Sequence, residues 1–345
     1  MIKVSSNLPA KAISYPKVAV VLLNWNGWCD TIACLDSLLP TLPNGSRVIV
    51  CDNGSQDDSM AHIRDWANGA DKNLMQPAFV TTHAVRPLLW SEYDRGQAEE
   101  GGGTDDPSLV LINTGGNLGF AGGNNVGIRY ALAHDYDFIW LLNNDTVVNA
   151  SSLDALLSRM QADSNIGICG STLAYFDAPN TVQALGGSRF DFKRGIGVHL
   201  GLGEQLSAPR DQNMIEQSLD YVVGASMMVS RAFLKDVGLM CEDYFLYFEE
   251  IDWAMRAKGK FTLAWAPDSV VLHKEGASIG SSHRSRPSAT SLRYLYRNRL
   301  RFTRRHTPQH YWSVFRSICF EAVVYLKRRE FEATFIIFCT FFNDI

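Results

Sequence analysis

Seven cysteines are scattered through 345 residues without one C-x-x-C pair. Neither a metal ribbon nor a disulfide scaffold therefore organises this chain, and the thiols are expected to be reduced packing groups. The opening stretch MIKVSSNLPAKAISYPK lacks the apolar core of a signal peptide. The longest apolar run near the other end, Ala333 to Phe342, is interrupted by Thr334 and Thr340 and is too short to cross a bilayer. The expectation is a cytoplasmic protein without an integral membrane segment. No charge sign dominates: 32 Lys+Arg against 36 Asp+Glu leave −4, which excludes a nucleic-acid-binding cation and an acidic tail protein. G-x-G-x-x-G and G-x-x-x-x-G-K-[ST] are both missing, removing the standard dinucleotide and P-loop readings. What is present, 46% hydrophobic residues, suffices for one large α/β domain or two smaller ones, each with a full core.

Lys17 to Leu23 is a β-branched run ending at Asn24-Trp25-Asn26-Gly27, and Thr31 to Leu39 carries apolar residues at helical spacing, so the segment reads as strand, turn, helix. The unit recurs at Arg47–Cys51 with a helix from Asp57, at Leu109–Ile112 with a helix near Val126–Ala133, and at Phe138–Leu142. Fully apolar strands alternating with helices predict a parallel sheet covered on both faces. Ligands of such sheets bind beyond the carboxyl ends of the strands, where the polar clusters stand. Asn68 to Pro107, with its glycine and acidic clusters, reads as a surface insertion holding a short strand at Ala78–Thr81. From Ile166 longer alternating strands (Ile166–Phe176, Val182–Phe192, Tyr221–Ser230) predict a mixed second half, followed by a helix near Glu249 and strands at Phe261–Trp265 and Ser269–His273.

Two motifs are decoys. Gly276-Ala277-Ser278-Ile279-Gly280 matches a nucleophile elbow, but no helix follows it. Asp135-Tyr136-Asp137 matches a metal-binding D-x-D but precedes its strand, at the wrong end of the sheet, and reads as a solvated loop. The remaining clusters agree with one another. Asp52 follows an apolar strand, where a carboxylate can accept from a nucleobase N–H or a ribose hydroxyl, or else cap the turn Asn53-Gly54. Gly115 to Asn125 holds five glycines before a helix, letting backbone N–H groups approach an anion. Asp145, after Asn143-Asn144 at a strand end, suits Mg²⁺ or Mn²⁺ with few protein ligands; the alternative is a turn or cap residue. Glu249, Glu250 and Asp252 stand at a helix start as catalytic carboxylates or as capping charge. His273 ends another strand, as a ligand or a structural histidine.

In their order, N-W-N-G (24–27), C-D-N-G-S-Q-D (51–57), N-L-G-F-A-G-G-N-N (117–125), N-N-D (143–145), V-G-A-S (223–226), Y-F-E-E-I-D-W-A-M-R (247–256) and H-K-E-G-A-S (273–278) resemble the family 2 inverting glycosyltransferases of the GT-A fold, in particular their rhamnosyltransferase-like bacterial members. The resemblance covers about residues 17 to 305. It implies an α/β architecture with a Rossmann-like mixed sheet and helices on both faces, in a catalytic domain over 1–275 whose nucleotide-sugar half is about 17–145 and acceptor half about 146–275. It implies a nucleotide-diphosphate sugar as donor, a divalent metal (Mg²⁺ or Mn²⁺), and transfer of one sugar, rhamnose among the candidates, to a hydroxyl of a saccharide or lipid-linked acceptor of cell-surface polysaccharide. Residue by residue it implies nucleoside contacts at Asn24 and Asp52, and ribose and diphosphate contacts at Asn117, Gly119 and Asn125, with Asn144 beside them. Asp145 and His273 are implied as metal ligands, and Glu250 as general base with Glu249 and Asp252 as alternates. A glutamate at 250 stands where the family usually has aspartate, and Asn143-Asn144 thin the charge of the metal motif. The rival classes are a nucleotidyltransferase, opposed by the lack of Lys or Arg between Gly115 and Val126, and an inactive carbohydrate- or membrane-binding relative.

Residues 276–320 carry nine arginines and no Asp, Glu or Lys, leaving 23 Lys+Arg against 36 Asp+Glu elsewhere. The region 276–345 is expected to be a basic, aromatic, helical appendage. Arg293, Arg297, Arg301, Arg304 and Arg305 would form one cationic stripe on a helix, available either for packing on the acidic body or for peripheral contact with an anionic membrane.

Overall fold

The computed structural model describes residues 15–70, 83–274 and 287–342. The first half is built of strand–helix units: β1 (Val18–Asn24), α1 (Trp28–Leu38), β2 (Arg47–Asp52), α2 (Ser59–Ala67), β3 (Trp90–Asp94), α3 (Arg95–Glu99), β4 (Leu109–Asn113), α4 (Gly119–Ala133) and β5 (Phe138–Asn143). Then come β6 (Thr146–Val148), α5 (Ser152–Ala162), β7 (Ile166–Tyr175), β8 (Ala178–Leu185), β9 (Gly187–Asp191), β10 (Ile196–His199), α6 (Gln212–Gln217), β11 (Tyr221–Val222) and β12 (Ser226–Ser230). The chain continues through α7 (Arg231–Val237), α8 (Glu249–Ala257), β13 (Thr262–His273), α9 (Ala289–His306), α10 (Tyr311–Lys327) and α11 (Phe331–Phe342).

The main sheet runs β3-β4-β2-β1-β5-β12-β7-β13-β6, with β8 paired to β7, and a small sheet β10-β9-β11 stands apart. Pairing is parallel from β3 to β5, and β12 enters antiparallel between β5 and β7. Helices cover both faces because β1 is apolar at every position before Asn24: Val18, Val20 and Leu22 enter one core and Ala19 and Val21 the other. The parallel register aligns the carboxyl ends, Asn24 opposite Asp52 and Leu23 opposite Asn143, so the polar residues after each strand share one edge.

Four sequence expectations need correction. The supposed surface insertion supplies β3, the parallel edge strand beside β4, and α3 behind it; the expected strand at Ala78–Thr81 lies outside the described residues. Helix α4 begins at Gly119 rather than near Val126, because its glycines and small residues pack against β1 and β2. The Val182–Phe192 strand is split at Gly186 into β8 and β9. The two strands expected at 261–273 are one, β13, with an irregularity between Ala266 and Val270 that includes Pro267, a residue that cannot donate to a ladder. All cysteines are free thiols. Among the described residues no helix is long and apolar enough to cross a membrane.

Candidate active site

At the carboxyl edge of β1, β2 and β5, Asn24 is fully buried and donates from Nδ2 to Asp52 Oδ1 at 2.7 Å, while Thr31 donates to Asn24 Oδ1 at 2.7 Å. Asn144 Nδ2 joins through Thr31 Oγ1 at 2.9 Å. The other Asp52 oxygen accepts the backbone N–H of Ser55 at 3.1 Å. Asn24, Asp52 and Asn144 thus form one network, as their shared edge requires. Asn117 is exposed on the glycine-rich loop, and its Oδ1 accepts from Gly119 N at 3.0 Å and from Asn53 Nδ2 at 3.1 Å. Asn53, buried, also accepts from Leu118 N at 2.9 Å; it fastens the turn after β2 to this loop, a role that sequence reasoning misses because D-N-G looks only like a turn. Gly119 has φ +74°, and a Cβ there would stand 2.2 Å from the Phe245 carbonyl, so nothing larger than glycine lets the two loops meet. Asn125 does not belong to this edge. Its amide is spent on Met240 O and Glu242 Oε1, both at 2.9 Å, and accepts from Met240 N, tying α4 to the segment before α8.

Asp145 and His273 meet because β13 pairs with β6, placing His273 opposite Thr146. His273 Nε2 lies 3.2 Å from Asp145 Oδ1, and both side chains are buried. Burial alone would raise the Asp145 carboxyl, but the charge of His273 facing it holds it below the usual range. Gln183 Oε1 sits 2.9 Å from His273 Nδ1, an acceptor that fixes a proton there and leaves Nε2 to face Asp145. Asp145 Oδ1 is buried without an aligned hydrogen bond. A hard divalent cation fits such an oxygen, with the imidazole beside it and the remaining positions left to water and phosphate oxygens. Among the described residues no three His, Cys, Asp or Glu gather as a protein-only metal cage.

The three carboxylates of α8 separate by environment. Glu250 is half-buried, and Gly224 N donates to its Oε1 at 3.2 Å. A Cβ at 224 would sit 2.7 Å from that oxygen. Asn143 N donates to Ala225 O at 3.0 Å, so the residue that follows Gly224 is bonded to the end of β5. Burial pushes its carboxyl above the ordinary glutamate value. Glu249 lies deeper, with Oε2 buried and accepting no hydrogen bond, and burial plus the charge of Glu250 raise it well above the usual range. Asp252 is taken up by its neighbours. It is fully buried and held by His306 at 2.7 Å, Arg256 at 2.8 Å and the Tyr244 hydroxyl at 3.1 Å; its carboxyl stays below the usual range because those partners outweigh burial. The D-x-D residues lie on an exposed loop, as expected: Asp137 accepts from Lys17 N, and Asp135 pairs with Arg231. The 276–280 elbow motif lies outside the described residues.

The architecture sets the class. The chain superposes on the mannosyltransferase PcManGT from Pyrobaculum calidifontis, solved in complex with GDP-Man and Mn²⁺, with a TM-score of 0.51 at 12% identity, covering 96% of this chain and 88% of that one. This is a GT-A type α/β fold. Residues 95–238 match the family model Glycosyl transferase family 2. It is similar to the low-salt glycan biosynthesis hexosyltransferase Agl10 of Haloferax volcanii, 30% identical over 152 residues, 44% of this chain and 46% of that protein. It is also similar to the N-acetylglucosaminyl-diphospho-decaprenol L-rhamnosyltransferase of Mycobacterium tuberculosis, 27% identical over 191 residues, 50% of this chain and 61% of that protein. The matched stretch is thus about half to three fifths of these relatives' own lengths.

Proposed function

We propose that this protein is an inverting glycosyltransferase that moves one sugar from a nucleotide-diphosphate sugar to a hydroxyl of a saccharide or lipid-linked acceptor. The observation that carries the reading is the placement of Glu250, a half-buried carboxylate held by Gly224, whose neighbour Ala225 is bonded to the end of β5. Asp52, oriented by the buried Asn24, serves the nucleoside. Asn117 and the backbone at Gly119 lie toward the ribose and diphosphate, where the start of α4 adds its positive end. Asp145, with His273, would hold the Mg²⁺ or Mn²⁺. When bound, that ion would neutralise charge building on the departing diphosphate.

Glu250 takes the proton of the acceptor hydroxyl as the oxygen attacks the anomeric carbon from the face opposite the diphosphate. One in-line displacement inverts that centre. Burial and the charge of Glu250 push the Glu249 carboxyl up, which favours its neutral form and makes Glu250 the better base of the two. The names of the similar proteins support a hexose or rhamnose donor and a lipid-linked acceptor. Thermal-shift screening of nucleotide-sugars with Mg²⁺ or Mn²⁺, followed by turnover of the stabilising donor, tests the reading. No stabilisation by any nucleotide-sugar, with or without metal, would overturn it.

A further inference from the structure

Three members of the cationic stripe expected on α9 have partners within the protein. Arg301 donates to the Asp243 carbonyl, Arg305 reaches Asp243 and Asp252, and Arg304 lies over the Tyr311 ring, while Arg299, off that stripe, is buried against Glu321. A different surface is left uncovered. Of the thirteen large apolar side chains exposed among the described residues, seven lie on α10 and α11: Trp312, Phe320, Val323, Leu326, Phe331, Phe335 and Phe338.

The exposure follows from helical geometry. At about 100° per residue, Trp312, Arg316, Phe320, Val323, Leu326 and Lys327 fall within one third of the α10 circumference. Val314, Ile318 and Ala322 occupy the other side and are buried against α9 and α11. On α11, Phe331, Phe335 and Phe338 share a stripe, while Ile336 and Ile337 enter the same core. These aromatics are not loosely packed core residues: Trp312 is 72% exposed, and Phe320 and Phe335 are each 70% exposed. The charge beside them is basic. Among the described residues Arg316, Lys327, Arg328 and Arg329 are exposed around the hairpin, against the exposed Glu332 and the half-buried Glu330; Glu321 is taken by Arg299.

We propose that the α10–α11 hairpin is a membrane-docking surface that lies in the interface of an anionic bilayer, its Trp and Phe side chains in the acyl boundary and its cations at the lipid headgroups. This deepens the lipid-linked-acceptor reading above, but it is tested without donor or acceptor, so the two fail separately. Over their described residues neither α10 nor α11 is long and apolar enough to cross a bilayer, and both suit an in-plane orientation. The stripe Phe331, Phe335, Phe338 offers no hydrogen-bonding group to fix the register of a protein partner. A second copy docked on the same face would bring the two cationic rims together.

The test uses the full chain and vesicles of phosphatidylcholine with about one third phosphatidylglycerol. It should co-sediment with these vesicles at low salt, partly release as salt rises, and bind pure phosphatidylcholine at least tenfold more weakly. Replacing Trp312, Phe335 and Phe338 together by Ser should cut binding about tenfold or more while the melting temperature holds, since these side chains are exposed. Brominated lipid should quench the wild-type fluorescence and leave that of Trp312→Phe largely unquenched. Failure to pellet with anionic vesicles at low salt, or equal binding by the triple variant, overturns the proposal. So does a dimer in sedimentation that the triple variant abolishes, which would assign the face to a second copy.

Discussion

Glu250 and Asp252 are two residues apart and share a helix start, yet their surroundings give them opposite chemistry. Glu250→Gln keeps the shape but cannot take a proton, so turnover should fall about a hundredfold or more while donor binding persists. Steady-state kinetics beside nucleotide titration checks this, and normal transfer would remove Glu250 from the mechanism. Because burial raises the Glu250 carboxyl, the acid limb of kcat/KM should lie above 4.5, activity rising with pH as the base deprotonates. Asp252 has the opposite sign: its partners hold it below 3.8, so its contribution to stability is present at neutral pH and is lost as pH falls through that lowered value. Asp252→Asn should therefore destabilise the fold by about 3 kcal/mol, leaving Arg256 and His306 without their anion, and denaturant titration should show it. A variant with wild-type stability and no transfer would instead return Asp252 to the candidate bases.

The segment between α7 and α8 is the element that joins the two halves of the site. Phe245, Tyr247 and Phe248 all have positive φ, a conformation that bulky residues adopt only when their surroundings impose it. Asn298 of α9 imposes it, its Nδ2 donating to the carbonyls of Tyr244 at 2.6 Å and Leu246 at 2.7 Å. The loop in turn accepts Phe120 N on Phe245 O at 2.7 Å, so the start of α4 and the start of α8 are held by one strained turn. Asn298→Ala removes the side-chain donor from both carbonyls, leaving Tyr244 O only its bond from Leu246 N, and should cost about 2 kcal/mol of stability. It should also lower kcat more than it weakens donor binding, since the loop leads into Glu250. Calorimetric unfolding with paired kcat and donor-affinity measurements checks both halves; an unchanged kcat would confine Asn298 to a packing role.

At the scale of the whole molecule, the sequence is legible where physics is local. Apolar strands with polar ends, from Lys17–Leu23 to Phe138–Leu142, place Asn24, Asp52 and Asn144 on one edge by pattern alone, and the parallel register brings them into a single network. What is not legible depends on pairing between distant segments. Trp90–Asp94 becomes a sheet edge only through β4, Gln183 reaches His273 only through the fold of β8 on β7, and Asn125 is drawn away from the donor edge by Met240. The largest such effect concerns the C-terminal helices, which composition marks off as an appendage. Phe302 of α9 is fully buried with Phe190, Tyr244, Phe248 and Ile251, and His306 reaches Asp252, so α9 completes a core of the catalytic unit. A chain cut after Arg286 should therefore fail to melt cooperatively or should aggregate, because Tyr244, Phe248 and Ile251 lose the cover that Phe302 and Leu295 provide. Phe302→Ala in the full chain, a milder removal of the same contact, should cost about 3–5 kcal/mol and still fold. Circular dichroism melts of both proteins decide the matter: a soluble fragment ending at Arg286 with an unshifted cooperative transition would make α9–α11 a detachable module after all.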